Sequence, residues 1–312
     1  MLRRIIALQE SRFRLRVSDL IKLGNFVRII ELFPPSLPAP SSANSSQKFD
    51  LSFRFDRLVE NISELEALAD AFSFPELKDP TRVHLNSVAL ASELKRLTGN
   101  DVIPTITLRD SNRQNLLGLI TYAMFAGLEN LQIVRGDAYD PGVKSEPKNV
   151  YDFVAVSSLV KIVRKIESSL SNKERICILA PINLLKTDDE SYLQTIRKRE
   201  SAGTDIFVTE SSFENIEKYL DRILRIRRLG IKTPIIHNIF PFRSYEDAVA
   251  CTIKFGWKVS NDELHQLKTR GAEYGLELSR ERYHRLLDRK DIAQGACIST
   301  RGNVELARRI TS

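Results

Sequence analysis

The chain is poor in the residues that build the commonest small-protein sites. It has three cysteines, Cys177, Cys251 and Cys297, far apart and with no CxxC pair. That excludes a disulfide framework and a zinc cluster, and fits a reducing, cytoplasmic compartment. Four histidines, His84, His237, His265 and His284, are scattered without HExxH spacing, which excludes that zinc-peptidase arrangement. No GxG pair occurs among the 13 glycines and no GxxxxGK[ST] is present, so neither a dinucleotide loop nor a Walker loop is expected. No apolar run approaches the ~18–20 residues of a membrane span. The basic N-terminal stretch MLRRIIALQESRFRLRVSDLIKL has no continuous apolar segment of the signal-peptide kind. Aromatic platforms and nucleic-acid-binding modules are also missing. The net charge of +7 is therefore read as solvated helix faces, as in residues 196–200 and 222–228, and no nucleic-acid partner is expected.

What is present is alternation. Apolar, Ile/Val-rich runs occur at 26–33, 101–108, 131–137, 174–182, 206–210, 234–240 and 292–300, with a weaker one at 69–75. Helical patterns lie between them at 88–97, 112–125, 152–170, 190–201, 214–229, 245–255 and 276–287, several ending at a glycine as helix C-termini do. Phe13, Val17, Leu20 and Ile21 follow helical spacing. The pattern predicts an α/β protein, a (β/α)8 barrel (TIM barrel). It is a single domain over residues 26–312 with an extra N-terminal helix over 1–25. Pro35–Gln47, rich in Pro and Ser, reads as a loop after the first strand.

Active sites of such barrels sit at the carboxyl ends of the strands. The polar residues closing the apolar runs are Glu31; Thr105, Thr107, Arg109 and Asp110; Arg135 and Asp137; Thr209 and Glu210; His237 and Asn238. Glu31 ends an apolar strand and is followed by Pro34-Pro35, which cannot extend a ladder. A desolvated carboxyl there should have a raised pKa and suit general-acid work; the alternative is an ion pair with Arg28 or another arginine. Thr209, Glu210 or Ser211 could equally cap the next helix. His237 reads either as a satisfied core histidine or as a catalyst. Arg135-Gly136-Asp137 reads as a strand-to-loop turn as readily as a site.

Together these strand ends resemble the methylenetetrahydrofolate reductase family. The resembling segments are Leu23–Pro35 (LGNFVRIIELFPP), Thr105–Asp110 (TITLRD), Gly127–Asp137 (GLENLQIVRGD), Glu200–Glu210 (ESAGTDIFVTE) and Pro234–Pro241 (PIIHNIFP), in that order along the chain. The resemblance implies a flavin-dependent barrel reductase of one-carbon metabolism and methionine biosynthesis. It would pass hydride through FAD, from NADH or NADPH, onto a methylene-pterin to give the 5-methyl form. It makes Glu31 the general acid, and Asp137 a catalytic carboxylate beside flavin and pterin. Glu210 would bind the pterin, and Thr107, Arg135, Gly136 and Arg199 the cofactor. It also implies a homo-oligomer or a partner redox subunit. The alternatives kept open are a flavin-free reductase and a catalytically weak pterin-binding subunit. Two departures bear on these. Glu210 stands where the family has glutamine, and Ala180–Leu185 (APINLL) lacks the aromatic and histidine residues that hold the adenine half of FAD.

Overall fold

The structure, a computed structural model, describes residues 15–39, 50–78, 82–137, 151–153, 155–170, 175–211 and 215–312. Eight strands run parallel and close on themselves: β1 (Val27–Glu31), β3 (Ala71–Phe74), β5 (Val102–Thr107), β6 (Asn130–Val134), β7 (Cys177–Ile182), β8 (Ile206–Thr209), β9 (Ile235–Ile239) and β10 (Gly295–Ser299), with β10 returning to pair with β1. These are the eight apolar runs of the sequence, the weak one included, and the fold is a (β/α)8 barrel.

Side-chain alternation sets what faces the barrel interior. Val27 and Ile29, Ala71, Ile103, Cys177 and Leu179, Ile206 and Val208, Ile236 and Cys297 form one buried cluster inside the barrel. Their odd-even partners, such as Ile30, Phe72, Ile106, Ile178, Phe207 and Ile298, belong to a second cluster under the surrounding helices. Further along the same faces, toward the carboxyl rim, the strands present Glu31, Ser73, Thr105 and Thr107, Glu210, Asn238 and Ser299. The described part of the N-terminal helix, α1 (Val17–Lys22), closes the opposite end. Val17 joins the interior cluster, and its N–H donates to Asp101 Oδ2 at 3.1 Å.

The outer layer is α2 (Leu51–Leu65), α3 (Ser87–Thr98), α4 (Arg113–Phe125), α5 (Val156–Ser169), α6 (Glu190–Ser201), α7 (Ile216–Arg228), α8 (Tyr245–Phe255), α9 (Asn261–Arg270), α10 (Ala272–Asp288) and α11 (Val304–Thr311). Several start on a side-chain cap, Asn86 on α3, Asn112 on α4 and Asp189 on α6. The helix expected from Glu214 is capped by Asn215, whose side chain accepts from Glu217 N at 2.8 Å. Glu214 itself lies outside the described residues, and Thr209, Glu210 and Ser211 are not its caps. The segment read as a loop after β1 contains a short strand, β2 (Ser36–Pro38). It pairs antiparallel with β4 (Arg82–His84), while Leu85 N donates to Pro35 O at 2.9 Å. The paired prolines therefore end β1 and lead into a ladder that ties the loops after β1 and β3 together.

Candidate active site

Glu31 closes β1 between Ser299 of β10 and Ser73 of β3 in the register of the sheet. The Ser299 hydroxyl donates to Glu31 Oε1 at 2.7 Å. No cation partners Glu31 among the described residues. Arg28 instead forms a two-pronged pair with Asp70, 3.1 Å between Nη2 and Oδ1. Residue 31 retains some solvent contact, yet its carboxyl lies deep in the protein. Desolvation raises its pKa, and the Ser299 hydrogen bond offsets that only in part. The ion-pair alternative thus gives way to a buried carboxyl held by one hydroxyl.

Across the rim, β8 presents a second carboxyl. Glu210 accepts from the backbone N–H groups of Leu184 (3.1 Å to Oε2) and Leu185 (3.3 Å to Oε1), at the start of the short 3-10 turn Leu184–Lys186. Burial pushes its pKa up to about 7, against those two donors and the Arg222 charge. Because Val208 and Ile236 are partners across β8 and β9, Glu210 and Asn238 lie level on adjacent strands. Buried polar atoms without a partner among the described residues cluster here: Asn183 Oδ1, Ser211 Oγ and Asn238 Oδ1. Behind the wall, Tyr219 donates to Thr209 Oγ1, and Thr209 shares a 3.0 Å hydrogen bond with His237 Nδ1. The His237 ring packs edge-on against Tyr219, and burial drives its pKa down to about 3. His237 is a satisfied, neutral core histidine behind β9.

The remaining residues assigned by resemblance divide into two places. Thr107, Gly136 and Asp137 come together at the ends of β5 and β6. Gly136 has φ +85°, and a Cβ there would lie 3.0 Å from Arg109 Cβ and 3.4 Å from Thr107 Cβ. Thr107 directs both its N–H (2.6 Å) and its hydroxyl (2.9 Å) to Glu76 Oε2, in the loop after β3. Arg135 is exposed, with its guanidinium 5.0 Å from the Tyr151 ring centre. Arg199 lies apart on α6, where it donates to the Pro181 carbonyl at the end of β7. Glu31 and Asp137 are at the same end of the barrel, with β3 and β5 between their strands.

Glu76, Ser299 and Arg222 are rim residues that the strand-end reading passed over as site candidates. Glu76 carried the same signal as Glu31, an acid just past an apolar run. Ser299 is 268 positions from Glu31, and only barrel closure makes them neighbours. A groove of about 850 Å³ lies outside the barrel between the start of α7 and α9–α10, walled in part by Lys218, Lys258, Tyr274 and Arg282, and contains none of these rim residues.

Comparison with solved structures shows the fold elsewhere. An uncharacterized protein from Clostridium thermocellum, solved with two copies of 5-methyl-5,6,7,8-tetrahydrofolic acid bound, is 14% identical, with 94% of this chain and 99% of that one covered and a TM-score of 0.64. A 2,3-dimethylmalate lyase of the PEP mutase/isocitrate lyase superfamily is 10% identical, with 94% and 84% covered and a TM-score of 0.51. At these identities the likeness is one of fold. No curated protein sequence matches the chain. The family model of methylenetetrahydrofolate reductase matches residues 54–273, more than half of the sequence, taking in β3 to β9 with the TITLRD, RGD and TE strand ends. The chain belongs to the methylenetetrahydrofolate reductase family.

Proposed function

We propose that this barrel binds a reduced pterin at its carboxyl rim and reduces a methylene-pterin to the 5-methyl form, with Glu31 as proton donor. One observation carries the reading: a carboxyl deep in the rim, facing inward, with a single hydroxyl partner and a pKa raised by burial. The family match leaves out β1 and β10, so the role of Glu31 rests on this geometry and on the resemblance of its strand. Family membership and the tetrahydrofolate-bound structure of similar fold support the substrate class.

The chemistry needs such an acid. A methylene group bridging two nitrogens is an aminal. Protonating one nitrogen makes it a leaving group: its carbon–nitrogen bond breaks, and the carbon is left as an iminium on the other nitrogen. A hydride then reduces that carbon to a methyl. Proton and hydride together account for the two-electron reduction. Burial raises the Glu31 pKa and so favours the protonated acid, the form that supplies the proton, beyond the pH range in which an ordinary glutamate keeps it. Glu210 and Asn238, level on adjacent strands, offer the pterin a polar edge. When protonated, Glu210 donates and accepts like the amide that the family carries there, and Asn183, Asn238 and Ser211 have unused hydrogen-bonding capacity.

FAD, the carrier that the resemblance implies, would supply hydride beside the pterin. The residues assigned to it fit poorly. Thr107 commits both donors to Glu76, Arg199 is tied to the Pro181 carbonyl, and the end of β7 offers Pro181-Ile182-Asn183 in place of aromatic groups. No step is routed through a flavin here, and NADH or NADPH is the donor proposed. The same committed groups favour, as a second reading, a pterin-binding subunit of low activity.

Substitution of Glu31 by glutamine tests the assignment. Turnover of methylene-pterin should fall by about 10²–10⁴-fold, with binding of the 5-methyl product changed only a few-fold. Turnover at near the wild-type rate would remove Glu31 from the reaction. Protein that purifies yellow with stoichiometric flavin would overturn the flavin-free reading and leave the role of Glu31 intact.

A further inference from the structure

We infer that Arg109 is a positioning residue for Asp137, the clamp that fixes residues 135–137 at the end of β6 against their neighbours. The proposal deepens the reductase reading; the kinetic part of its test rests on that reading and on the catalytic role that the family resemblance implies for Asp137. Arg109 follows β5, only 6% exposed. Its guanidinium reaches three ways. Nη1 donates to the backbone carbonyl of Asp137. Nη2 donates to the carbonyl of Lys78 at 2.7 Å, and Nε lies 3.1 Å from Asp110 Oδ2, an ion pair without hydrogen-bond geometry. The backbone adds to this, since Arg109 N donates to Arg135 O at 3.0 Å. Lys78 returns the contact, donating from Nζ to the Arg109 carbonyl and, at 2.6 Å, to the Ser111 hydroxyl. One buried side chain therefore joins the loop after β3, the end of β5 and the loop after β6.

Asp137 depends on that clamp. Its side chain is exposed and makes no hydrogen bond or ion pair with the described residues, so the backbone alone sets where its carboxylate stands. The turn at Gly136 packs closely on Arg109, since a Cβ added there would lie 3.0 Å from Arg109 Cβ. The geometry also calls for arginine. A planar fork can donate to two carbonyls on different loops while its charge faces a carboxylate, whereas a lysine ammonium at the end of its stem serves only part of that set. Removing the fork leaves two carbonyls on different loops without the donor that joins them. A displacement of about 1 Å at a reacting group is enough to lower a rate by ~10²-fold.

The test is a double-substitution cycle of Arg109→Lys and Asp137→Asn, with Arg109→Leu as a second arm. Arg109→Lys should lower kcat by about 10–100-fold and leave KM within about threefold. In the Asp137→Asn background it should cost little more, because the group it positions is already lost. Independent, multiplying effects would overturn the positioning role. A second readout does not depend on turnover: amide hydrogen exchange at residues 135–137 should speed up by about tenfold or more in Arg109→Lys, while protection of β6 is kept. Unchanged exchange there would refute the clamp even if the chain proves to be a reductase. Faster exchange without any pterin turnover would leave the clamp standing and count against the function instead.

Discussion

Glu210 gives the most quantitative test of the rim's electrostatics. Its pKa rises from 4.5 to about 7 in the folded chain, so the native state holds this proton more tightly than the unfolded chain does. Its contribution to stability is therefore most favourable below pH 4.5, declines as pH rises toward 7, and is flat above. Glutamine has no proton to lose. Glu210→Gln should gain about 2.5 kcal/mol on wild type between pH 5 and pH 8, each pKa unit being worth ~1.4 kcal/mol. Any hydrogen bond that the amide forfeits with Leu184 N or Leu185 N offsets both pH values alike, so it cancels from the comparison. Asp101, raised by burial to about 6, titrates in the same window in both proteins and cancels as well. Denaturant unfolding of the two proteins at pH 5 and pH 8 reads the difference. Thermal melts should show it as a relative shift of about 5 °C, at ~2 °C per kcal/mol for a chain of this size. The groups facing Glu210 are Arg222 and Tyr219 on α7 and Tyr192 on α6, and the substitution alters none of them. A pH-independent difference between the two proteins would refute the claim that this carboxyl is desolvated. Binding of 5-methyltetrahydrofolate should weaken above pH 7 in wild type, as Glu210 loses its proton, and stay level in the variant.

Other outcomes follow from the same packing. Gly136→Ala places a side chain at φ +85° against Arg109 Cβ at 3.0 Å; it should cost about 1–2 kcal/mol and depress turnover more than product binding, checked by unfolding and steady-state kinetics. Gly275→Ala would set a Cβ 2.1 Å from the Phe242 carbonyl oxygen and should destabilise by about 3 kcal/mol, read as a lowered unfolding midpoint. His237, lowered to about 3, should stay neutral by nitrogen NMR down to pH 4; a titration midpoint near 6.5 would mean that the ring reaches solvent.

Much of the fold was legible because burial on both faces of a parallel strand favours apolar runs rich in Ile and Val, and seven of the eight strands lie in one; β3 (AFSF) has neither residue and gave the weak signal. The helices that escaped notice had local signals all the same. α2 has Leu58, Ile62 and Leu65 on one face behind the Asp50 cap, and α9 opens with the capping box Ser260–Glu263. The candidate site was legible only as far as strand ends go. That Glu31 meets Ser299 rather than Arg28, and that Glu76 takes up the donors of Thr107, depends on partners 268 and 31 positions away. Such contacts are set by barrel closure and register, which no local pattern encodes. The change from Gln to Glu at position 210 was visible in the sequence, but the two backbone donors that anchor the carboxyl come from the turn after β7.

The central proposal is that burial holds Glu31 as a neutral carboxylic acid above the pH at which an ordinary glutamate ionises. Infrared difference spectroscopy of wild type against Glu31→Gln tests it directly, since only a protonated carboxyl contributes a free-acid carbonyl stretch. The account predicts a free-acid band at pH 7 in the wild-type-minus-variant difference, with Glu210 common to both and subtracted. A carboxylate signal at pH 7 that titrates with an ordinary glutamate midpoint would contradict it.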